Sequence, residues 1–350
     1  MSKKLTIYDI AAEAGVSISS VSRVLSNHPN VRPELRAKVM EVVERRHYLP
    51  SIMPKGLGKG DNATIGIVMP PVDNPYYGAL FCAADKTAHE QGCATWLHQL
   101  PAGSHKIEDE FVNRLIQRRF AGILLAGGFS KTEVQGLRRA VARLQEYMPV
   151  VCICAPLPDL GCLSLHNDVA GGIAQSVTHL HTLGHRHIAF LGGPFIGSET
   201  TVRGQAFLSA LVRHGMDYPA VYGFNGGYDA TSGALALLNL WSKLGDTPAP
   251  TALICFNDLV ALGAIQQANK LGLRVPEDLA VIGCDNSFFA PYIQPPLTTI
   301  DLYPEKTARH AMLALLNGKS TADCPTVQTL ESTLIIRESC GSKLGRRDLR

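Results

Sequence analysis

The sequence predicts an all-α helix-turn-helix headpiece followed by an α/β body of two doubly wound parallel-sheet lobes. Two observations predict this fold class. Residues 5–48 place apolar side chains at helical spacing, whereas from Thr64 onward short apolar runs alternate with amphipathic segments. Between these regions, residues 50–63 are rich in Pro, Gly and Lys, as is typical of a linker. The length of 350 residues is enough for two or three domains.

Three headpiece helices are predicted from capping residues and apolar spacing. Thr6 can cap the first helix, and Gly15 supplies a tight turn before Ser17 caps the second. Pro33 opens the third helix. In the second helix the 3.6-residue period directs Val21 inward and leaves a mostly polar face outside. That outer face comprises Ile18, Ser19, Ser22 and Arg23.

The body reads as strands that alternate with helices, the pattern of a parallel sheet covered on both faces. In chain order the predicted strands are TIGIVMP, CATWLH, AGILLA, PVVCIC, CLSL, HIAFLGG, TALICF and LAVIGCD. A break at residues 156–161 separates two lobes. The closing segments LTTIDL, a helix over 304–317 and TLIIRES are too short for a third lobe, so they must add to the first two.

These patterns give a complete division of the chain. We predict a helix-turn-helix headpiece over 1–49, a hinge linker over 50–63, and a two-lobed domain over 64–340. The predicted lobe boundaries are about 64–161 plus 296–325 for lobe one and about 162–295 plus 326–340 for lobe two.

Charge is unevenly distributed along the chain. Residues 1–60 hold ten Lys or Arg and five Asp or Glu, a net charge of +5, whereas the whole chain carries only +3. A basic headpiece on a faintly acidic body indicates a polyanionic partner for the headpiece alone. The sequence contains neither an apolar membrane span nor a signal-peptide pattern, so we expect a cytoplasmic protein.

Residues that could indicate catalysis or metal binding favour neither. The nine cysteines are scattered, mostly within apolar runs, and predict buried reduced thiols. The segment HLHTLGHRH lacks zinc-ligand spacing, and neither G-x-S-x-G nor a P-loop occurs. We therefore expect no metal, no cofactor and no enzymatic activity.

The residues of the headpiece resemble a known family. TIYDIAAEAGVSISSVSRVLSNHPNVRPELRAKVMEVVERRHYLPS is similar to the DNA-binding headpiece of the LacI/GalR family of bacterial transcriptional regulators. The resemblance continues in family order through DNPYYGAL, LGHRHIAFLGGP, ICFNDLVALGA, LGLRVPEDLAVIGCDN and PPLTTI, and so covers nearly the whole chain. It implies a DNA-binding role for residues 1–49 and an effector-binding and dimerisation domain over 64–340, whose lobes are of the periplasmic-binding-protein type. It also implies a homodimer on near-palindromic operator DNA. The implied function is a regulator, expected to repress a carbohydrate-utilisation operon under the control of a small effector.

The headpiece also has the chemistry that DNA reading requires. Arg23 can make a bidentate contact to guanine, and Ile18 can pack on a thymine methyl group. The alternative interpretation of this face is an ordinary solvated helix surface. The resemblance implies that Ile18, Ser19 and Arg23 read bases, that Thr6, Ser17 and Ser22 hold phosphates, and that Leu57 wedges into the minor groove.

The linker departs from the family pattern, which usually forms a short hinge helix there. This chain reads SIMPKGLGKG. Pro54 in a helix interior would cost about 3 kcal/mol, and Gly56 and Gly58 about 1 kcal/mol each relative to alanine. We therefore predict a hinge that is less helical than is usual in the family, and a well-ordered helix over residues 51–58 on operator DNA would refute this.

A second site is predicted where parallel strands end, because small molecules bind at such clefts. Tyr76 follows the first strand of lobe one, and Arg203, Asn257 and Asp285 follow strands or begin helices of lobe two. Aromatic faces suit sugar rings, and planar polar groups suit paired hydroxyls. The resemblance implies effector contacts from Tyr76, Arg203 and Asp285, and further contacts from Asn257, Tyr228 and Glu199.

The type of effector is narrowed by one loop. GGPFIGSETTVRG departs from the purine-responsive branch of the family, which places a basic residue near Gly197. A sugar, sugar acid or sugar phosphate is therefore favoured, and an anionic group could pair with Arg203. For Tyr77 and Asp258, packing or helix capping explains the residues as well as ligand contact does.

Two other classes of protein remain as alternatives. One is a two-lobed small-molecule receptor whose helical module does not recognise a DNA sequence, and the other is an enzyme. The basic headpiece and the lack of a signal-peptide pattern count against the receptor. Detectable turnover of a sugar by the purified body would favour the enzyme.

Overall fold

The headpiece is a compact three-helix unit. The structure, a computed structural model, describes residues 7–25, 31–46, 63–101, 106–129, 131–157, 160–193, 198–224, 226–317 and 327–342. The headpiece helices are α1 (Ile7–Ala14), α2 (Ile18–Leu25) and α3 (Pro33–Arg45). They pack on a small core in which Ile10, Val21 and Val39 are fully buried. The predicted arrangement of these three helices is confirmed.

Lobe one is built on a six-stranded parallel sheet with the strand order β11-β5-β4-β3-β1-β2. Its strands are β1 (Ala63–Met69), β2 (Cys93–Gln99), β3 (Gly122–Ala126), β4 (Val150–Ile153), β5 (Leu163–Asn167) and β11 (Val327–Leu330). Its helices are α4 (Pro75–Glu90), α5 (Asp109–Gln117), α6 (Lys131–Gln145) and α11 (Pro304–Leu316). Helices α4 and α11 pack on one face of the sheet, and α5 and α6 on the other.

Lobe two is built on a second six-stranded sheet with the order β12-β10-β9-β8-β6-β7, in which only β12 runs antiparallel to its neighbour. Its strands are β6 (Ile188–Leu191), β7 (Gly223–Phe224), β8 (Ala252–Cys255), β9 (Ala280–Cys284), β10 (Thr298–Asp301) and β12 (Thr333–Ile335). Its helices are α7 (Val169–Thr182), α8 (Ser198–Arg213), α9 (Ala230–Ser242) and α10 (Asp258–Lys270). None of the helices described in either lobe is long and apolar enough to cross a membrane.

The lobe boundaries differ from the predicted ones. The chain crosses between the sheets three times, after β5, after β10 and after β11. Residues 163–167, assigned to lobe two from sequence, pair with β4 and belong to lobe one. Residues 298–301 pair with β9 and belong to lobe two, and residues 327–330 pair with β5 and belong to lobe one. The predicted break at 156–161 therefore does not separate the lobes, since β4 and β5 on either side of it pair in one sheet.

The cysteines follow the predicted pattern with one exception. Of the eight in the described part of the chain, seven are buried free thiols, whereas Cys82 on α4 is exposed. Cys324 lies outside the described residues. Buried thiols at these positions fill the cores of the two lobes as small apolar groups.

A close approach of two helices makes one glycine critical for stability. A Cβ atom added to Gly263 on α10 would lie 1.8 Å from the carbonyl oxygen of Ala230 on α9. Backbone cannot move aside cheaply, so we expect Gly263→Ala to lower the free energy of unfolding by about 1–3 kcal/mol or more, measured by urea denaturation.

The matched control is Gly204→Ala. Gly204 lies inside helix α8, and an added Cβ would meet no atom within 4 Å. Alanine is favoured over glycine in a helix by about 1 kcal/mol, so this variant should be as stable as the wild type or more so. Equal effects of the two substitutions would contradict the packing argument.

Candidate functional site

Helix α2 presents a polar face to solvent, as predicted for a recognition helix. Val21 and Val24 are buried against the other helices, whereas Ile18, Ser19 and Arg23 are exposed. The Oγ atom of Ser17 accepts a hydrogen bond from the Ser20 amide at 3.2 Å, so Ser17 caps α2. A capped helix with short hydroxyls at its N-terminus and one long cation has the geometry that phosphate and base contacts require.

Other predicted DNA contacts are described in part or not at all. Thr6 and Leu57 lie outside the described residues, as do residues 50–62 of the hinge predicted over 50–63. Ser22 lies within α2, but its side chain is outside the described structure. The predicted hinge conformation therefore stays a prediction.

In lobe one, the predicted effector residue Tyr76 lies at the start of α4, directly after β1. Asn74 caps this helix and accepts a hydrogen bond from the Tyr76 amide at 3.0 Å. The Tyr76 hydroxyl donates to Oδ1 of Asn167 at 3.1 Å, and its ring meets that of Tyr77 edge-on at 5.2 Å. Asn167 ends β5 at a lobe crossing, so Tyr76 is tied to the segment that joins the lobes.

In lobe two, Arg203 and Tyr228 converge on Phe256, a residue that sequence analysis did not single out. The Arg203 guanidinium lies 3.9 Å from the centre of the Phe256 ring and donates a hydrogen bond to the Phe256 carbonyl oxygen. The Tyr228 ring meets Phe256 edge-on at 5.0 Å. Arg203 is only 8% exposed. The position of Phe256, between strand β8 and the cap of the next helix, is the signal that could have identified it.

Asn257 has a structural task at this edge of the sheet. Its Oδ1 caps α10 by accepting from the Val260 amide at 2.8 Å, and its Nδ2 donates to the Tyr228 carbonyl oxygen at 2.8 Å. Asn257 therefore holds the Tyr228 loop beside Phe256. Glu199 lies within α8, but its side chain is outside the described structure.

Tyr76 and Asp285 meet across the lobes at one cavity of about 430 Å³. The cavity lies between the start of α4, the loop after β9 and the crossing after β10. Among the described residues that line it, none is Lys or Arg, and four are carboxylates: Asp73, Asp285, Asp301 and Glu305. The structure thus divides the predicted effector residues into a cavity pair and a cluster around Phe256. Tyr76 also packs against the apolar core of lobe two that contains Phe256, so the two groups lie on the same side of that lobe. Their roles as effector contacts stay predictions.

Asp258 is fully buried beneath the loop that carries Asp285. Its two carboxylate oxygens accept hydrogen bonds from the Ser287 amide at 2.6 Å and from the Thr299 hydroxyl. Burial raises the pKa of Asp258 to about 7, although these hydrogen bonds and the charge of Arg337 act to lower it. These contacts favour the packing interpretation of Asp258, since Asn257 and not Asp258 caps α10.

The raised pKa of Asp258 predicts a pH dependence of stability. In the unfolded chain this carboxyl titrates near its ordinary pKa of 3.8. Between about pH 4 and pH 7 the folded protein therefore binds more protons than the unfolded chain, and stability from this group falls as the pH rises. Asp258→Asn cannot titrate, so its unfolding free energy should improve relative to that of the wild type as the pH rises from about 4 to about 7. A pH-independent difference in urea denaturation would contradict this.

Two family models match the chain. The model for bacterial regulatory proteins of the lacI family matches residues 6–51, which span the three-helix headpiece. The model for a periplasmic binding protein-like domain matches residues 177–340, which include most of lobe two.

Characterised relatives match over most of the chain. The HTH-type transcriptional regulator DegA of Bacillus subtilis (strain 168) is 34% identical over 301 residues, 85% of this chain and 86% of DegA. The HTH-type transcriptional repressor CytR of Escherichia coli (strain K12) is 30% identical over 313 residues, 89% of each chain. Both are transcriptional regulators, which sets aside the enzyme alternative.

Solved structures share the whole architecture. The transcriptional regulator CelR in its cellobiose complex superimposes with a TM-score of 0.68 at 26% identity, covering 96% of this chain and 99% of CelR. The Lac repressor bound to ONPG in its repressed state gives a TM-score of 0.69 at 25% identity, covering 96% of this chain and all of the other. With these matches in fold and sequence, the chain belongs to the lacI family of bacterial regulatory proteins and is a DNA-binding transcriptional regulator.

Proposed function

We propose that this regulator represses a carbohydrate-utilisation operon. A sugar-derived effector, bound between the two lobes, changes the affinity of the regulator for the operator. The observation that carries the proposal is the cavity at which Tyr76 and Asp285 meet, one from each lobe. A ligand that contacts both residues favours one separation of the lobes over others, and only such a difference in affinity can shift a conformational equilibrium.

The chemistry of the cavity supports a neutral sugar over a sugar acid or phosphate. Its four carboxylates would repel an anion, and carboxylate oxygens accept hydrogen bonds from hydroxyl groups. The guanidinium of Arg203 is directed to the carbonyl oxygen and ring of Phe256. CelR was solved with cellobiose and the Lac repressor with ONPG.

We propose that the protein acts in the cytoplasm as a homodimer on near-palindromic DNA. Two recognition helices related by two-fold symmetry match two half-sites of an operator. Phe288 and Tyr292 are 79% and 84% exposed, an apolar surface that a second copy would cover. Sedimentation at micromolar concentration should give twice the monomer mass of 37.7 kDa.

The test is a selection of genomic DNA fragments by the purified protein at one fixed, moderate salt concentration. It is repeated with separate pools of neutral sugars, sugar acids and sugar phosphates. Salt is fixed because phosphate contacts alone imitate binding. We expect a few near-palindromic sites beside carbohydrate genes, and a change of occupancy with the neutral pool. A response to an anionic pool alone would overturn the neutral-sugar assignment, and uniform enrichment that vanishes with added salt would overturn sequence-specific repression.

A further inference from the structure

Unusual backbone conformations cluster beside the cavity. Of the four described residues other than glycine with positive φ, three lie here: Asp285 at 116°, Asn286 at 49° and Tyr303 at 48°. Such conformations persist where the surrounding structure over-determines them, and they concentrate at functional sites. The contacts that hold these three residues therefore bear on the effector response.

Asn286 joins two parts of the chain that are separate in sequence. Its Nδ2 donates to Oδ2 of Asp301 at 2.9 Å, and its Oδ1 accepts from Nη2 of Arg337 at 2.8 Å. Its amide donates to Oγ1 of Thr299 at 3.2 Å. The side chain and the amide of Asn286 are thus both bound, so the loop after β9 is held at its second residue.

Arg337 anchors this arrangement from the C-terminal segment. While Nη2 binds Asn286, Nη1 donates to the Leu297 carbonyl oxygen at 2.7 Å, and the Arg337 amide donates to Oγ1 of Thr298 at 2.9 Å. A planar guanidinium can hold two acceptors in fixed directions, which a lysine cannot do. Arg337 therefore fixes the loop after β9 to the start of β10.

Asp301 carries the connection into the crossing between the lobes. Its Oδ2 accepts from Asn286, and its Oδ1 accepts from the Tyr303 amide at 2.7 Å. Pro304 then begins α11, which packs on the sheet of lobe one. A continuous set of hydrogen bonds thus runs from Arg337 through Asn286 and Asp301 to the crossing.

We propose that Asn286 and Arg337 are positioning residues, which lock the Asp285 loop to the crossing at 301–304 so that the two move as one unit. Asp285 then keeps its place in the cavity. A movement of its loop also moves the crossing and is in this way transmitted to lobe one. The inference rests on the proposed function for the role of Asp285 as an effector contact.

The test is hydrogen exchange of the full-length protein without effector. The Tyr303 amide donates to Asp301, a member of this set. The amides of Asn286 and Ser287 lie in the loop that the set holds and donate to Thr299 and Asp258, so their exchange rates report whether that loop stays in place. In Arg337→Met and in Asn286→Ala, all three rates should rise about tenfold or more, since a hydrogen bond from a charged group contributes on this scale. The double variant should show no further increase. An unchanged exchange rate at Tyr303 would overturn the proposal. So would a double variant whose increase in exchange is the sum of the increases in the two single variants.

A second pair of variants distinguishes a positioning role of Asn286 from a general loss of structure, because one of the variants restores the lost hydrogen bond. Asn286→Asp alone places two carboxylates against each other, whereas Asn286→Asp with Asp301→Asn restores the amide–carboxylate pair in reverse. The combined variant should return all three rates to near the wild-type values, and failure to do so would count against the proposal. Arg274→Met, which removes an exposed ion pair to Asp278 in the same lobe, is the control and should leave the rates unchanged. No effector is needed, so the result is independent of the sugar assignment.

Discussion

Replacing Arg23 by alanine should abolish sequence-specific operator binding while leaving non-specific DNA binding largely intact. Arg23 lies on the exposed face of α2, opposite the buried Val21 and Val24. A bidentate arginine–guanine pair contributes about 1–3 kcal/mol of discrimination, and a dimer would lose two such pairs, so the specific affinity should fall roughly a hundredfold or more.

The measurement is a pair of dissociation constants at one salt concentration, for a selected operator and for a scrambled duplex of equal length. The control is Arg45→Ala, because Arg45 lies on α3 and pairs with Glu13 at 2.9 Å. This exposed ion pair contributes little to stability, and the variant should keep the ratio of the two constants. If Arg23→Ala weakened both complexes equally, Arg23 would be a phosphate contact and the base-reading assignment would be wrong.

The elements of this fold are readable from sequence because buried parallel strands are continuous apolar runs. Strands β3 and β4, GILLA and VVCI, are buried at every position, and the continuous apolar run alone locates each of them. Strand β11 shows where that signal ends. Its residues VQTL are half-buried or exposed, and its place beside β5 depends on pairing with residues 163 positions earlier. The lobe boundaries were mispredicted for the same reason, since pairing partners are not encoded in local pattern.

The candidate sites divide in the same way. Tyr76 and Asp285 follow strands, and the rule that parallel strands end at one edge brings them to a common cavity. No such local pattern singles out Arg337, because it follows an edge strand and its sequence context predicts a surface residue. Its partner Asn286 is 51 positions earlier in sequence. Contacts between distant side chains decide which arginine supports the cavity loop, and periodicity cannot report them.

Replacing Asp285 by asparagine should weaken effector binding on the order of a hundredfold and leave operator affinity without effector unchanged. Two hydroxyl groups on a carboxylate make charge-assisted hydrogen bonds of about 1.5–3 kcal/mol each, whereas an amide offers one neutral acceptor and a mismatched donor. Asparagine is the better test than alanine, because Asp285 has an unusual φ of 116° and asparagine keeps the shape of the side chain that adopts it.

Titration of operator occupancy with the sugar obtained from the selection measures this effect. Asp278→Asn is the matched control, since Asp278 is exposed in the same lobe and pairs with Arg274 at 2.6 Å; it should respond as wild type does. Arg203→Ala should also lose the response if Arg203 contacts the effector. Full responses in both Asp285→Asn and Arg203→Ala would place the effector site outside the region between the lobes. Loss of the effector response in Asp285→Asn alone would place the effector site at the cavity with Tyr76. Arg203 would then serve only to support Phe256.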